Sequence, residues 1–362
     1  MSKIIVDVNK ISEIETHNNA DGLEIVIIKG WQVVVQKDTL KLGDLIVYFP
    51  PDSLLPLELS DRLMVTKYLS KGRVKSIKLR GEPSHGFAVP LAVLPELLNY
   101  QEGHDCSDIL GVTKYEQPME LFTGDREVEH PDFHKYTEIE NYRNYPDLIA
   151  EDTAVFISEK IHGTSCRVGL IEEENKQIFM AGSHNTRKKE PLDKNYPMFR
   201  QTTNITNLYW HPLLFDNVKE MLVTIKANFN AKSVIMFCEV YGSIQDLRYG
   251  HIRGKVSYAA FDISVDGKYI NYDDFINYTY LYEIKTVPIL KTDFMKNITK
   301  EGLNSLASGK TLIKHNGREI DQIKEGIVIK PIIEQFNPKV GRVILKYISD
   351  DYLTRKDGTE FQ

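Results

Sequence analysis

The chain predicts an α+β fold in two parts, and three observations lead there. Its first hundred residues hold short β-branched and aromatic runs, punctuated by Gly, Asp and Pro, at the regular spacing of a small barrel or sandwich. From about residue 150 longer apolar runs follow, with few helical stretches between them. Strands dominate that half without strict strand–helix alternation, which is the pattern of an α+β rather than an α/β domain.

Taken in order, KIIVDVNKI, LEIVIIKGWQVVVQ, LGDLIVYFP and HGFAVPL read as strands of a first unit, residues 1–110. Arg73, Lys75 and Lys78 alternate or nearly so, with Arg80 following. They make a basic strand face, suited either to contacting phosphate or to protecting a solvated edge strand. Residues 111–145 are polar and rich in Tyr, His and acids, as expected of a linker or strap; Thr137 and Glu140 have capping-box spacing and would open a short helix. A second domain is expected over 146–354, with 355–362 as a tail. TAVFISEK, SCRVGLIE and QIFMAGSH suggest three successive antiparallel strands, and Leu214, Val218, Met221, Leu222 and Ile225 fall on one helical face. SVIMFCEVYG, KVSYAAFDISV, EGIVIKP and GRVILKYIS supply the remaining strands.

Composition narrows the class. Hydrophobic and charged fractions of 42% and 27% are those of a soluble globular protein. No apolar run is long enough to span a bilayer and no signal segment stands out, so a cytoplasmic protein is expected; oligomeric state is not readable, and a monomer is the default. Cys106, Cys166 and Cys238 lie far apart without metal-ligand spacing, which predicts reduced thiols. A net charge of -6 leaves room for a local basic groove. No GxxxxGK[ST] or GxGxxG loop supports a P-loop or dinucleotide site.

Charges recur where buried strands should be apolar. Lys160 follows TAVFISE, Glu239 interrupts VIMFCEVYG, Asp262 interrupts YAAFDISV, Glu325 and Lys330 bracket GIVI, and Lys346 ends GRVILK. Burying any one of them is costly without a partner, so the set predicts mutual pairing on one sheet face. Such a cluster suits nucleotidyl transfer. Lysine is a weak nucleophile while protonated, and nearby cationic charge frees its lone pair. Carboxylates such as Glu239 and Glu325 can hold Mg2+ or Mn2+, and a second lysine can steady charge at the α-phosphate.

The order of these elements is more specific than any one of them. EKIHGTS, FCEVYG, FDI, EGIVIKP and VILK follow one another as motifs I, III, IIIa, IV and V of the covalent nucleotidyltransferases. The chain resembles, within that superfamily, the ATP-dependent RNA ligases. HNNADGLEIVIIKGWQVVV, LGDLIVYFPPDSLLP, LRGEPSHGFAVPL and YTEIENYRNYP resemble the Deinococcus-type subgroup with its N-terminal OB module. The resemblance implies an OB-like β-barrel followed by a nucleotidyltransferase domain with an ATP-grasp-like antiparallel sheet. It implies ATP as substrate, Mg2+ or Mn2+ as cofactor, and a nicked RNA or RNA-containing duplex as partner. A capping guanylyltransferase or DNA ligase usually places its OB domain last, and about 15 residues after Lys346 cannot form one. A non-catalytic nucleic-acid-binding protein would have no use for Lys160, Glu239, Glu325 and Lys346 together.

Carried over by position, the resemblance makes Lys160 the nucleophile that takes AMP and Lys346 the α-phosphate contact. Glu239 would bind ribose or metal, and Glu325 metal. Phe261 and Val328 would sandwich adenine. Glu159, Ile161, His162 and Gly163 would shape the nucleotide loop, with Lys330 beside it. Arg143 would join Arg73, Lys75 and Lys78 in meeting RNA. Two positions depart from the family pattern. SHNTRKK has His184 where an arginine is usual, leaving Arg187 as the preferred stand-in. Ile348 stands where motif V often has a second lysine, a duty that would pass to Lys330 or Arg342.

Overall fold

The computed structural model describes residues 4–116, 125–191 and 206–355. They form two compact units, one made of 4–116 with 143–145 and 353–355, the other of 125–142, 146–191 and 206–352.

In the first unit, strands β1 (Asp7–Lys10), β2 (Glu13–Thr16), β3 (Leu23–Ile28), β4 (Trp31–Gln36) and β5 (Leu45–Phe49) precede a short β6 (Ser53–Leu54) and helix α1 (Leu57–Arg62). β7 (Ser76–Leu79), β8 (Glu82–His85), β9 (Phe87–Pro90) and β10 (Thr113–Lys114) complete it. The sheets are small, β1-β5-β9, β2-β3-β4, β7-β8 and β10-β6. Their inward side chains, including Val8, Val47 and Phe49 in one cluster and Val26, Ile28, Trp31 and Val33 in another, bury the apolar half of each strand.

The expected basic strand face does not form as one surface. Lys71 and Gly72 turn the chain with positive φ, and only Lys78 lies inside β7. Arg73 is committed to Asp52, with Nη2 2.6 Å from Oδ1, and stacks 4.1 Å from the Tyr115 ring centroid. Lys75 and Lys78 remain exposed. Arg143 also departs from expectation: it is buried, with its guanidinium 4.6 Å from the Trp31 ring centroid. Its charge is spent on packing within the unit, beside the Trp31 indole that donates to Asn144 Oδ1.

In the second unit β11 (Glu140–Asn141) replaces the helix expected after Thr137; it pairs in parallel with a strand near the C-terminus, Asn141 opposite Lys346. β12 (Ala154–Lys160), β13 (Thr164–Glu173), β14 (Lys176–Ser183) and β15 (Arg187–Lys188) come next, then α2 (Thr206–Trp210) and α3 (Asp216–Asn228). β16 (Ser233–Gly242), β17 (Val256–Val265), β18 (Lys268–Tyr269), α4 (Tyr272–Leu281), β19 (Ile289–Phe294) and α5 (Lys300–Ala307) follow. β20 (Gly326–Pro331), β21 (Phe336–Asn337), β22 (Gly341–Arg342), β23 (Leu345–Ile348) and α6 (Asp350–Leu353) end the described chain. β13 and β14 pair as predicted, but β12 does not join them: it lies in a sheet ordered β11-β23-β20-β12-β19, while β13 and β14 belong to β15-β14-β13-β16-β17-β18. Ile161, His162 and Gly163 carry the chain from one sheet to the other.

Helix α3 buries Val218, Met221, Leu222 and Ile225 on the six-stranded sheet, together with Met236, Cys238 and Ala260. Leu214 lies one turn before the helix and is exposed. The opposite face of that sheet supplies Ile235 and Phe237 to a second cluster, to which Val328 comes from the five-stranded sheet and Ile344 from the residue just before β23. The two sheets thus pack face to face, and the charged residues singled out in the sequence lie at this junction.

Candidate active site

Strand register assembles the site. Lys160 pairs with Gly326, and Gly326 with Ile348; Ser158 pairs with Val328, and Val328 with Lys346. Directly opposed residues point to the same face, so Lys160, Val328 and Lys346 share one side of the sheet. Gly326 permits this closeness, because a Cβ there would stand 2.8 Å from the Ile348 Cα. Ile348 therefore occupies the row of Lys160 itself, and an apolar side chain fills the place of the second family lysine.

From the other sheet, a β-bulge delivers Phe261. Phe237 pairs with Asp262 but Cys238 pairs with Ala260, leaving Phe261 as the extra residue. Ala260 and Ile263 both enter the helix-side core, whereas Phe261 packs with the inter-sheet clusters and Asp262 meets Lys330. The bulge thus turns two consecutive side chains to the site face, which alternation alone forbids. Phe261 and Val328 border the same cluster, and the Tyr136 ring meets Phe261 edge-on with centroids 5.0 Å apart.

Lys160 Nζ lies 2.7 Å from Glu325 Oε1. Burial pulls the lysine pKa down, but Glu325 and Glu239 outweigh it and hold the group above its ordinary value. Glu239 is pushed up to about 8, by burial first and by the Glu325 charge, against the pull of Lys160 and the Gly163 N–H. Two carboxyls thus crowd a half-buried ammonium, and one of them resists ionising.

The loop after Lys160 is held from several sides. Glu159 is buried and accepts from Thr311 Oγ1 and from the Leu312 N–H at 2.8 Å; burial raises its pKa. The His162 N–H donates to the Tyr249 hydroxyl at 2.7 Å. Its ring lies between Asp246, 2.9 Å from Nε2, and the Tyr352 hydroxyl, 2.8 Å from Nδ1. Gln245 Nε2 donates to the Gly163 carbonyl. Ile161 is buried in the cluster with Tyr249 and Val287. None of Asp246, Tyr249, Thr311 or Tyr352 was legible as a site residue: each lies far from Lys160 in sequence, in a segment without a motif.

The three Lys-x-x-Gly matches separate here. Gly81 and Gly317 have positive φ, as turn glycines do. Gly163 does not; a Cβ there would stand 2.9 Å from Glu239 Cγ and closer still to the Val240 carbonyl oxygen. It is glycine because β16 passes against it.

Lys330 departs from its expected place. Its ammonium lies 2.6 Å from Asp262 Oδ2, and Arg342 reaches the same oxygen at 2.7 Å while forking to Glu334. Tyr136 donates to Asp262 as well. Burial lowers the Lys330 pKa, and the two cations hold Asp262 low despite its burial. With both charges committed to Asp262, neither Lys330 nor Arg342 is presented as a substitute for the lysine missing at 348. Arg187 bonds to the Val128 carbonyl at 3.1 Å, and His184 lies 3.7 Å from Glu138. A buried Arg167, bridged to Glu129 at 2.8 Å, braces the same turn through the Ser183 carbonyl. Among the described residues no group of three metal-ligating side chains is gathered; Glu239 and Glu325 are the carboxylates that face Lys160. Two adjacent carboxylate donors suit a hard divalent cation that keeps water, so these residues fit Mg2+ or Mn2+.

An OB-fold unit ahead of a nucleotidyltransferase-type sheet, with a lysine at the strand end between the sheets, defines a nucleotidyl-transferring ligase fold. A family model for RNA ligase matches residues 153–348, and a model for an OB-fold domain matches residues 5–91. The chain belongs to the RNA ligase family. Among curated proteins no relative matches it. Solved structures of a Naegleria gruberi RNA ligase share the fold at 24% identity: a variant with ATP and Mn has a TM-score of 0.74 over 97% of this chain and 98% of that one. The same enzyme with PPi has a TM-score of 0.72 over 96% and 97%. A variant with AMP and Mn has 0.73 over 96% and 98%.

Proposed function

We propose that this RNA ligase is ATP-dependent, belongs with the Deinococcus-type enzymes, and seals 3′-OH/5′-phosphate nicks in RNA duplexes through AMP carried on Lys160. The carrying observation is the Lys160–Glu325 ion pair, with the Glu239 charge acting on the same ammonium, on the sheet face of Val328 and Lys346 and with Phe261 brought to the same inter-sheet cluster from the other sheet. The ATP, AMP and PPi found with the Naegleria enzyme are the substrate and products that such chemistry needs.

The Lys160 amine attacks the α-phosphorus, pyrophosphate leaves, and the amine loses a proton. A 5′-phosphate oxygen then displaces Lys160 to give an AMP-capped end, and the 3′-OH displaces AMP to form the phosphodiester. Phe261 and Val328 hold the adenine between them. Lys346 faces the α-phosphate, where its charge steadies the pentavalent transition state. Glu239 and Glu325 would hold a divalent cation, whose charge, when bound, would screen them from Lys160 and offset that of the phosphates. His162, fixed by Asp246 and Tyr352, keeps the Lys160 loop in place for in-line attack.

Incubation with α-labelled ATP and Mg2+ or Mn2+, followed by denaturing electrophoresis, tests the reading. Label from ATP that survives denaturation and vanishes in Lys160→Ala is expected. Label from GTP instead, or none, would overturn it. Nicked duplexes with RNA or DNA on the 3′-OH strand then decide the substrate.

A further inference from the structure

Three segments carry a cationic rim beside the nucleophile's loop. Residues 243–255, 282–287 and 309–323 hold seven lysines and arginines against four carboxylates, in a chain whose net charge is -6. Two of those carboxylates are occupied: Asp246 by His162 and Asp321 by Lys310 at 3.1 Å. Glu283 and Glu319 are the others.

The segments are packed together and anchored at the site. Gly250 lies so close to His315 that a Cβ there would stand 2.8 Å from the histidine Cβ. The rings of His251 and His315 meet edge to face with centroids 4.6 Å apart, and the Tyr249 N–H donates to Gln322 Oε1 at 2.9 Å. From this pair of loops, Asp246 and Tyr249 hold His162, while Thr311 and Leu312 hold Glu159. Glu159, just before Lys160, and His162, two residues after it, are thus each fastened to a loop whose outer side is basic. Arg248, Lys285, Lys314 and Arg318 are exposed there, around the half-buried His251 and His315. The field is felt locally: burial lowers the His251 pKa, and His315 and Lys285 lower it further.

We infer that this rim carries the phosphodiester backbone of the RNA beside the junction, and acts in AMP transfer and sealing rather than in loading Lys160. Cations spread over three segments match the repeating phosphates of a strand better than one compact triphosphate. The inference rests on the ligase reading above.

The triple variant Arg248→Gln, Lys314→Gln, Arg318→Gln tests it in the full-length protein. Lysine adenylylation from labelled ATP should stay within about twofold of wild type. Affinity for a nicked RNA duplex should fall at least tenfold at moderate salt. The slope of log affinity against log salt should become shallower by about 2, near the sum for three phosphate contacts. Sealing of a pre-adenylylated nick should fall with affinity. A charge-keeping variant, Arg248→Lys, Lys314→Arg, Arg318→Lys, should retain the slope, separating charge from folding. An unchanged slope and sealing rate in the neutral variant would overturn the inference. So would a parallel loss of adenylylation, which would assign the rim to the triphosphate. Wild type that takes no label from ATP would overturn the ligase chemistry instead, leaving the salt slopes to decide the rim.

Discussion

Gly163→Ala is a one-carbon perturbation whose effect can be worked from the packing. The new Cβ would stand 2.9 Å from Glu239 Cγ and 3.0 Å from the Val240 carbonyl carbon, and nearer still to its oxygen. Carbon atoms in good contact sit about 3.5–4.0 Å apart, so the loop or β16 must yield by on the order of 1 Å. β16 is held by β13 on one side and β17 on the other, and the loop by Gln245, Asp246 and Tyr249. Overpacking at such a site costs about 1–3 kcal/mol. The displacement also falls between Lys160, the proposed nucleophile, and Glu239, where about 1 Å of misplacement can cost about a hundredfold in rate. Single-turnover lysyl–AMP formation should therefore drop on the order of a hundredfold, while urea unfolding shows a folded protein with modestly lowered stability. Gly81→Ala, at a turn with positive φ and no site contact, should lower stability without touching the rate. Adenylylation in Gly163→Ala within a few-fold of wild type would refute the close-approach argument.

Asp262→Asn should destabilise the protein by about 3 kcal/mol in urea titrations, because it leaves Lys330 buried with a neutral partner and Arg342 with Glu334 alone. His211 is held at about 4 by burial, with Lys285 and His251 adding to it, below its usual 6.5. Its folded pKa is depressed, so its stabilising contribution is complete above pH 6.5 and is lost as pH falls toward 4, by about 3 kcal/mol in total. Denaturant titrations of His211→Gln across that window should show a flatter decline than wild type. Arg143→Ala should lower the unfolding midpoint by removing the stack on Trp31, with the salt slope of RNA binding unchanged, whereas Lys78→Gln, if Lys78 meets phosphate, should flatten that slope by about 0.7–0.9.

Much of this protein was legible before any coordinates. Strand-forming runs, the α3 stripe and the charges set into apolar strands are local patterns, and local patterns follow from alternation, helical spacing and the cost of burying charge. The ordered set around Lys160, Glu239, Phe261, Glu325 and Lys346 carried the family resemblance on residues alone. What the pattern could not convey was which strand joins which sheet. β12 looks like the first of three antiparallel strands, yet it crosses to the other sheet at Gly163, because the hydrogen-bonding edge it takes is offered by β20, more than 160 residues away. Lys330 and Arg143 show the same gap. Each is a cation at a plausible place in the sequence, and each is spent on a partner, Asp262 or Trp31, that only folding brings near.

The sequence alone determined that a lysine follows an apolar strand and that carboxylates and a second lysine come after it in order, since composition and spacing are properties of the chain. Tertiary structure decided the rest. It set Ile348 in the row of Lys160, turned Phe261 inward by a bulge, and gave His162 its partners Asp246 and Tyr352. It also separated Gly163 from the two turn glycines that share its motif. Those outcomes depend on register and on close approach between distant segments, and neither is written in the local order of residues.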